Sequence, residues 1–191
     1  MLKGLLVTYK KEVVDFFNKN RGIIGLSLLY LLLKLPSLFE PYWYGDEGVT
    51  ITVGMAIKRG LLLYRDVYDN KPPLLYLLAS LVDGNLYFLK LISLVIGLGG
   101  LWLFFRLSVF IFTVKKSVSI IIACLLFVTL VTTPVFEANI VNGEIIFLVF
   151  SLAGWYLAIV KNNYWVSGLF FSLAFLTKAP AVFDLVPLVL W

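Results

Sequence analysis

Residues 41–76 read PYWYGDEGVTITVGMAIKRGLLLYRDVYDNKPPLLY. The segment holds four acidic and four basic side chains and stands between two long apolar runs. Asp46-Glu47 and the cluster Arg65-Asp66-x-x-Asp69-Asn70-Lys71 have no packing rationale, and tyrosines and a tryptophan stand beside them. A connector between two spans needs turns and solubility. Paired carboxylates on an aromatic-rich lip read instead as an active-site loop at a membrane surface.

Composition points the same way. The chain of 191 residues is 61% hydrophobic with a mean hydropathy of +0.98, well above an ordinary soluble domain, and several apolar runs are long enough to cross a bilayer. The expected fold is all-α, a polytopic transmembrane helical bundle with short interfacial helices in the first exoplasmic loop. A net charge of +5 suits basic cytoplasmic ends. With no Arg/Lys-rich aromatic platform, nucleic acid is excluded as a partner. The single Cys124 lies in an apolar run and reads as a small buried hydrophobe. There are no histidines, which removes a Ser-His-Asp triad and any His metal ligand. Acid–base work falls to carboxylates, Lys or Tyr.

Outward from the central segment, residues 1–21 mix Lys3, Lys10, Lys11, Lys19 and Arg21 with apolar residues at roughly helical spacing. They read as a cytoplasmic amphipathic segment, and residues 22–191 as the transmembrane module. The positive-inside rule keeps the N-terminus in the cytoplasm. A first span is expected over about 23–39, with Lys34 snorkelling near its outer end. Within the loop, Val49–Ile57 reads as an interfacial helix stopped by Gly60, and Pro72 holds Lys71 extended. Residues 74–112 would make a helix of nearly 60 Å, too long for one span and too short for two with a turn. A break at Asp83-Gly84-Asn85, with Asp83 as a cap, leaves a short helix 74–82 and a second span 86–110. Lys90 and Arg106 then snorkel near its two ends. Further spans follow over about 117–133 and 145–160, and a last apolar run begins near Tyr164. Lys115-Lys116 and Lys161 fall inside, the loop 134–144 outside, in a cell (plasma or inner) membrane.

Tyr44-Gly45-Asp46-Glu47-Gly48, followed by Gly60-x-x-x-Tyr64-Arg65-Asp66-Val67-Tyr68-Asp69-Asn70-Lys71-Pro72-Pro73-Leu74-x-Tyr76, resembles the first exoplasmic loop of the C-type glycosyltransferases. It is most similar to the branch of protein O-mannosyltransferases and lipid A aminoarabinose transferases. The resemblance covers roughly residues 20–190, less than half of a usual member. It implies transfer of a sugar from a polyprenyl-phosphate donor to a glycan, lipid or protein acceptor on the exoplasmic face.

Such a transfer needs a carboxylate to take the acceptor's hydroxyl proton and cations to hold the departing phosphate. The resemblance makes Asp46 the base and Lys71 the phosphate contact; the plainer readings are a helix N-cap and an exposed charge. Glu47 caps, orients Asp46 or binds a metal. Arg65 is a second phosphate candidate, with Asp66 and Asp69 bracing it or Lys71. Glu144 falls where relatives often carry another acidic residue, against a simple helix-dipole contact; Glu137 is less specific. Tyr42, Trp43 and Tyr44 read as an aromatic belt or a sugar-stacking surface. Lys178, about 20 Å across the last run and before Pro180, is either a carrier-phosphate ligand or a snorkelling lysine. A divalent ion, Mg or Mn, is an open possibility for the carboxylates. Two other classes stay open: a transporter or flippase subunit, which would put ionisable groups mid-span, and a non-catalytic protein that binds the lipid carrier. Relatives pair such a segment with further helices, so the 191 residues are expected to fold marginally and transfer little sugar by themselves.

Overall fold

A computed structural model describes residues 20–41, 44–112 and 117–187. The expected amphipathic segment, Tyr42-Trp43 and Lys115-Lys116 lie outside these residues, apart from Asn20 and Arg21. The described chain is helical throughout, without strands. Helix α1, Arg21–Lys34, continues as a 3-10 turn, Leu35–Leu38, opened by Pro36. Then come α2 (Gly45–Lys58), α3 (Leu74–Leu81), α4 (Leu86–Ile111), α5 (Ser117–Thr132), α6 (Glu144–Trp155) and α7 (Tyr164–Thr177). Helix α6 runs on through a π-helical turn, Tyr156–Val160, and a 3-10 segment, Ala179–Leu185, follows α7.

Two helices are long and apolar enough to cross a membrane: residues 21–38, with mean hydropathy 1.4, and residues 86–111, with 2.1. At 26 residues α4 is about 39 Å long, beyond the ~30 Å of a hydrocarbon core. The apolar helices Val118–Thr132, Glu144–Val160 and Tyr164–Thr177 are shorter.

The breaks fall where backbone chemistry puts them. Gly60, at φ 91°, ends α2 in the left-handed region that glycine enters without strain. Between α3 and α4, Asp83 and Gly84 both have positive φ, and Asn85 is the cap, its side chain accepting from Phe88 N at 3.2 Å. The cap expected at Asp83 falls two residues further on: Asp83 makes the turn and Asn85 caps the helix. Helix α2 also begins four residues before the expected Val49, so Asp46 lies inside its first turn rather than at its N-cap.

The core joins α1, α4, α5 and α6 through Ile23, Leu26, Tyr30, Leu94, Leu101, Cys124, Val128 and Val149. Helix α3 packs on α2, and α7 on α6. Small residues set these approaches. Tyr30, fully buried, lies over Gly97 and donates to Leu94 O at 3.3 Å, while Gly154 faces the Phe171 ring. The outward faces are apolar too: Leu32, Val95, Ile111, Ile122, Leu126 and Trp165 are exposed. Helices apolar all round belong to a large core or a bilayer.

Two lysines contradict the snorkelling expectation. Lys34 is 3% and Lys90 2% exposed. Lys90 turns inward to meet Glu47, and Lys34 lines a cavity between the ends of α1 and α5 together with Ser37, Glu40, Thr132 and Asn139. Arg106 is exposed, as expected.

Gly54 carries the α2–α3 contact. A Cβ there would lie 2.9 Å from both Ala79 C and Ser80 N, which are backbone atoms that cannot swing aside. Gly54→Leu should lower stability by about 1–3 kcal/mol through overpacking. Gly25→Ala, in open space on α1, should be neutral or stabilising by up to about 1 kcal/mol. Thermal unfolding of the two variants in detergent checks the contrast.

Candidate active site

The site starts from the first turn of α2. Tyr44 is its extended N-cap residue, and Asp46 and Glu47 are its second and third residues, where acidic side chains oppose the helix dipole. Successive residues on a helix point about 100° apart, so the two carboxylates must part. Glu47 turns inward. Its side chain is fully buried, with Oε1 3.6 Å from Lys90 Nζ and accepting from Val141 N at 2.8 Å. Lys90 Nζ in turn donates to Glu40 O at 3.1 Å. One pair thus ties α2, α4, the end of α1 and the loop before α6. Glu47 Oε2 and Thr50 Oγ1, one turn apart, are buried without a hydrogen-bond partner among the described residues.

Asp46 turns outward, with 41% of its side chain exposed, and meets Lys71 Nζ at 2.7 Å. The ammonium is close without an aligned hydrogen bond, so its N–H groups stay unsatisfied there. Lys71 is placed by its neighbours. Its carbonyl accepts from Tyr64 OH at 2.7 Å, and Asp69 beside it accepts from Tyr76 OH, on α3. Burial, then the bond to Asp69, raises the Tyr76 phenol above its ordinary range. Burial does the same to Tyr64, helped by the Asp69 charge.

Arg65 and Asp66 form a separate unit. They pair at 2.9 Å, and Asp66 also accepts from Leu62 N at 2.9 Å. The Arg65 guanidinium, then that backbone N–H, holds the Asp66 carboxyl below the usual range. This closes the turn in which Tyr64 takes φ 68° and Leu63 bridges to Val67. Among the described residues neither side chain forms an ion pair with Asp46 or Lys71.

The opposite wall comes from the ends of α5, α6 and α7. Glu137, at φ 55°, accepts from Tyr44 OH at 2.6 Å and from Asn142 Nδ2 at 2.7 Å. The Glu137 bond and charge, then smaller effects from burial, Asp46 and Glu144, raise the Tyr44 phenol. Tyr44 therefore stands among three carboxylates. Glu144 opens α6 and pairs with Lys178, an extended residue between α7 and the following 3-10 segment. Gly143, at φ 83°, turns the chain into this corner in the left-handed region that favours glycine, while the space beside Thr177 and Leu75 would itself admit a Cβ.

The structure thus groups Asp46, Lys71, Asp69, Glu144 and Lys178 with Tyr44, Tyr76 and Glu137. It gives Arg65 and Asp66 to a turn and Glu47 to the interior. The sequence reading missed Lys90, Glu40 and Asn139, whose Nδ2 donates to Glu40 Oε2 at 2.8 Å. Their only sequence signal was polarity next to apolar runs. Among the described residues no group of three Asp, Glu, Cys or His is placed to hold a metal ion, and the carboxylates engage lysines, tyrosines or asparagines. Chemically, the site offers one half-exposed carboxylate and two lysines whose partners are exchangeable.

Removing one member of a buried ion pair strands the other charge, at about 3–5 kcal/mol. Glu47→Gln and Lys90→Met should each show that loss in unfolding measurements, and the double variant should lose clearly less than the two added together.

Comparison with family models, with curated proteins and with solved structures finds no match to this chain.

Proposed function

We propose that the chain is a membrane glycosyltransferase moving a sugar from a polyprenyl-phosphate donor to an acceptor hydroxyl on the exoplasmic face. The observation that carries the reading is the Asp46–Lys71 pair in an aromatic cluster that also holds Glu144 and Lys178. The resemblance of residues 44–76 to the C-type transferases supports the same chemistry.

In this reading the short apolar helices cross with α1 and α4, as a polytopic bundle with a cytoplasmic N-terminus. The connectivity favours it. The segment after α1, the loop after α5 and the residue after α7 meet at one end, through Tyr44–Glu137 and Glu144–Lys178. Helices crossing alternately bring those ends to one side. A transporter would need ionisable groups mid-span. Lys34 is instead the last residue of α1, and Lys90 the fifth of α4, at the end that carries the site; Asp184, which accepts from Ser151 midway along the helix 144–160, is the exception.

Asp46 takes the acceptor's hydroxyl proton. The acceptor oxygen forms the new bond to the anomeric carbon as the bond from that carbon to the phosphate oxygen breaks. The electron pair leaves on the polyprenyl phosphate, whose growing charge Lys71 and Lys178 stabilise. Attack opposite the leaving group inverts the anomeric centre. Lys71 is bound to Asp46 before the donor arrives. A phosphate that takes up Lys71 leaves the carboxylate open to the acceptor.

Asp46→Asn preserves size and most hydrogen bonding but cannot accept the proton. Sugar transfer from a radiolabelled polyprenyl-phosphate donor, in membranes where the unaltered protein and the helices it works with transfer sugar, should fall by about 10²–10⁴-fold with donor binding intact. Activity near that of the unaltered protein would remove Asp46 as the base. Lys71→Ala and Lys178→Ala should instead weaken donor binding. Unchanged donor affinity in both would sink the phosphate assignment.

A further inference from the structure

A cavity of about 440 Å³ lies where the C-terminal ends of α1 and α5 come side by side. Its rim is exposed Leu33, Pro36, Thr129 and Pro134; its floor is buried Lys34, Ser37, Thr132 and Asn139, with Glu40 and Thr133 half-buried. Nothing in the sugar-transfer reading uses it. The ammonium of Lys34 makes no hydrogen bond or ion pair among the described residues, although the residue is 3% exposed. The charges of Glu40 and Glu47 act on it without contact and that of Lys90 opposes them; a buried cation with no contact partner is costly, so a lining lysine of this kind marks where an anion would be held.

The other polar groups specify what accompanies the anion. Every hydroxyl around the cavity already donates along its own helix or turn: Ser37 to Lys34 O at 2.7 Å, Thr132 to Val128 O at 2.7 Å, Thr133 to Thr129 O and Thr129 to Leu126 O at 2.9 Å. These oxygens keep only acceptor capacity. Asn139 spends one amide N–H on Glu40 Oε2, leaving its second N–H as the one side-chain amide donor beside its own carbonyl and the second Glu40 oxygen, both acceptors. Two helix C-termini add negative potential. The cavity therefore presents one cation and a wall of acceptors, and fits a ligand with an anionic group beside a positively charged donor.

We propose that this cavity holds the headgroup of an aminophospholipid, with the phosphate on Lys34 and the primary ammonium on Glu40 and the neighbouring acceptors. The exposed Leu33 on the rim continues the apolar outer face of α1, where acyl chains would lie. Choline offers the wall no N–H, and a glycerol headgroup offers hydroxyls without the charge that Glu40 selects. The order of affinity is phosphatidylethanolamine, then phosphatidylglycerol, then phosphatidylcholine. The Glu40–Asn139 bond connects the cavity to the loop that carries Glu137 and Asn142, so an occupied site braces that loop.

The test uses the detergent-purified, delipidated chain titrated with lipids of identical acyl chains and read by native mass spectrometry. Phosphatidylethanolamine should bind about tenfold more tightly than phosphatidylcholine, one charge-assisted contact's worth. Its mono- and dimethylated forms should fall in steps between them. Glu40→Gln should bring phosphatidylethanolamine down to the level of phosphatidylglycerol, and Lys34→Met should weaken all three. A flat methylation series on the unaltered protein overturns the proposal whether or not a variant folds, as does a preference for phosphatidylethanolamine over phosphatidylglycerol that survives Glu40→Gln. No sugar donor enters the experiment, so its outcome is separate from that of the transfer assay.

Discussion

Glu47 and Lys90 place opposite charges where water does not reach, and the polar end of the molecule takes its register from them. Two ions in such surroundings are tolerated only when their remaining valences are met. Here the partners come from elsewhere: Val141 N from the loop before α6, and Glu40 O from the end of α1. Four segments must be in place for the pair to be satisfied. Buried ion pairs are weak sources of net stability, and the unpartnered Glu47 Oε2 and Thr50 Oγ1 subtract further. What this one supplies is alignment.

Its consequence is felt one residue earlier. With Glu47 fixed inward, the pitch of α2 sends Asp46 out toward Lys71, and Tyr44, before the helix, toward Glu137. The Gly54–Ala79 contact then fixes how closely α3 lies on α2, which positions Tyr76 and, through Asp69, the strand of chain leading to Lys71. A pair that never meets solvent thus determines where the exposed carboxylate stands.

Local chemistry made much of the fold legible: Gly60, Pro72 and Asp83-Gly84-Asn85 mark breaks wherever they occur. The start of α2 was not legible, because Gly45, Asp46 and Gly48 are poor helix formers; burial of Glu47 carries the helix through them. The candidates Asp46, Lys71, Glu144 and Lys178 could be picked out by residue type and position. Their partners could not. Glu47 and Val141 are 94 residues apart, Glu40 and Asn139 99, and no spacing rule covers such separations. Lys34 and Lys90 were misread for a related reason: the snorkelling argument weighs depth along a helix and ignores what stands across from it. Arg65 was chosen for its charge, and its own neighbour Asp66 had the shorter reach.

The ion pairs at this end are of two kinds, and exposure separates them. In the Asp46–Lys71 pair 41% and 24% of the side chains are exposed, and Glu144–Lys178 is similarly open. Water reaches the Asp46 carboxylate and both partners of the second pair, although the Lys71 nitrogen itself is covered, and half-exposed pairs of this kind contribute only about 0–1 kcal/mol. An arriving anion can take either lysine at small cost, because the carboxylate left behind has water to turn to. Lys90 is different. Drawing it off would strand Glu47 in an apolar interior, at several kcal/mol. The same residue types, lysine and carboxylate, are therefore a fixed joint in one place and an exchangeable contact a few ångströms of helix away. The difference lies in their access to water.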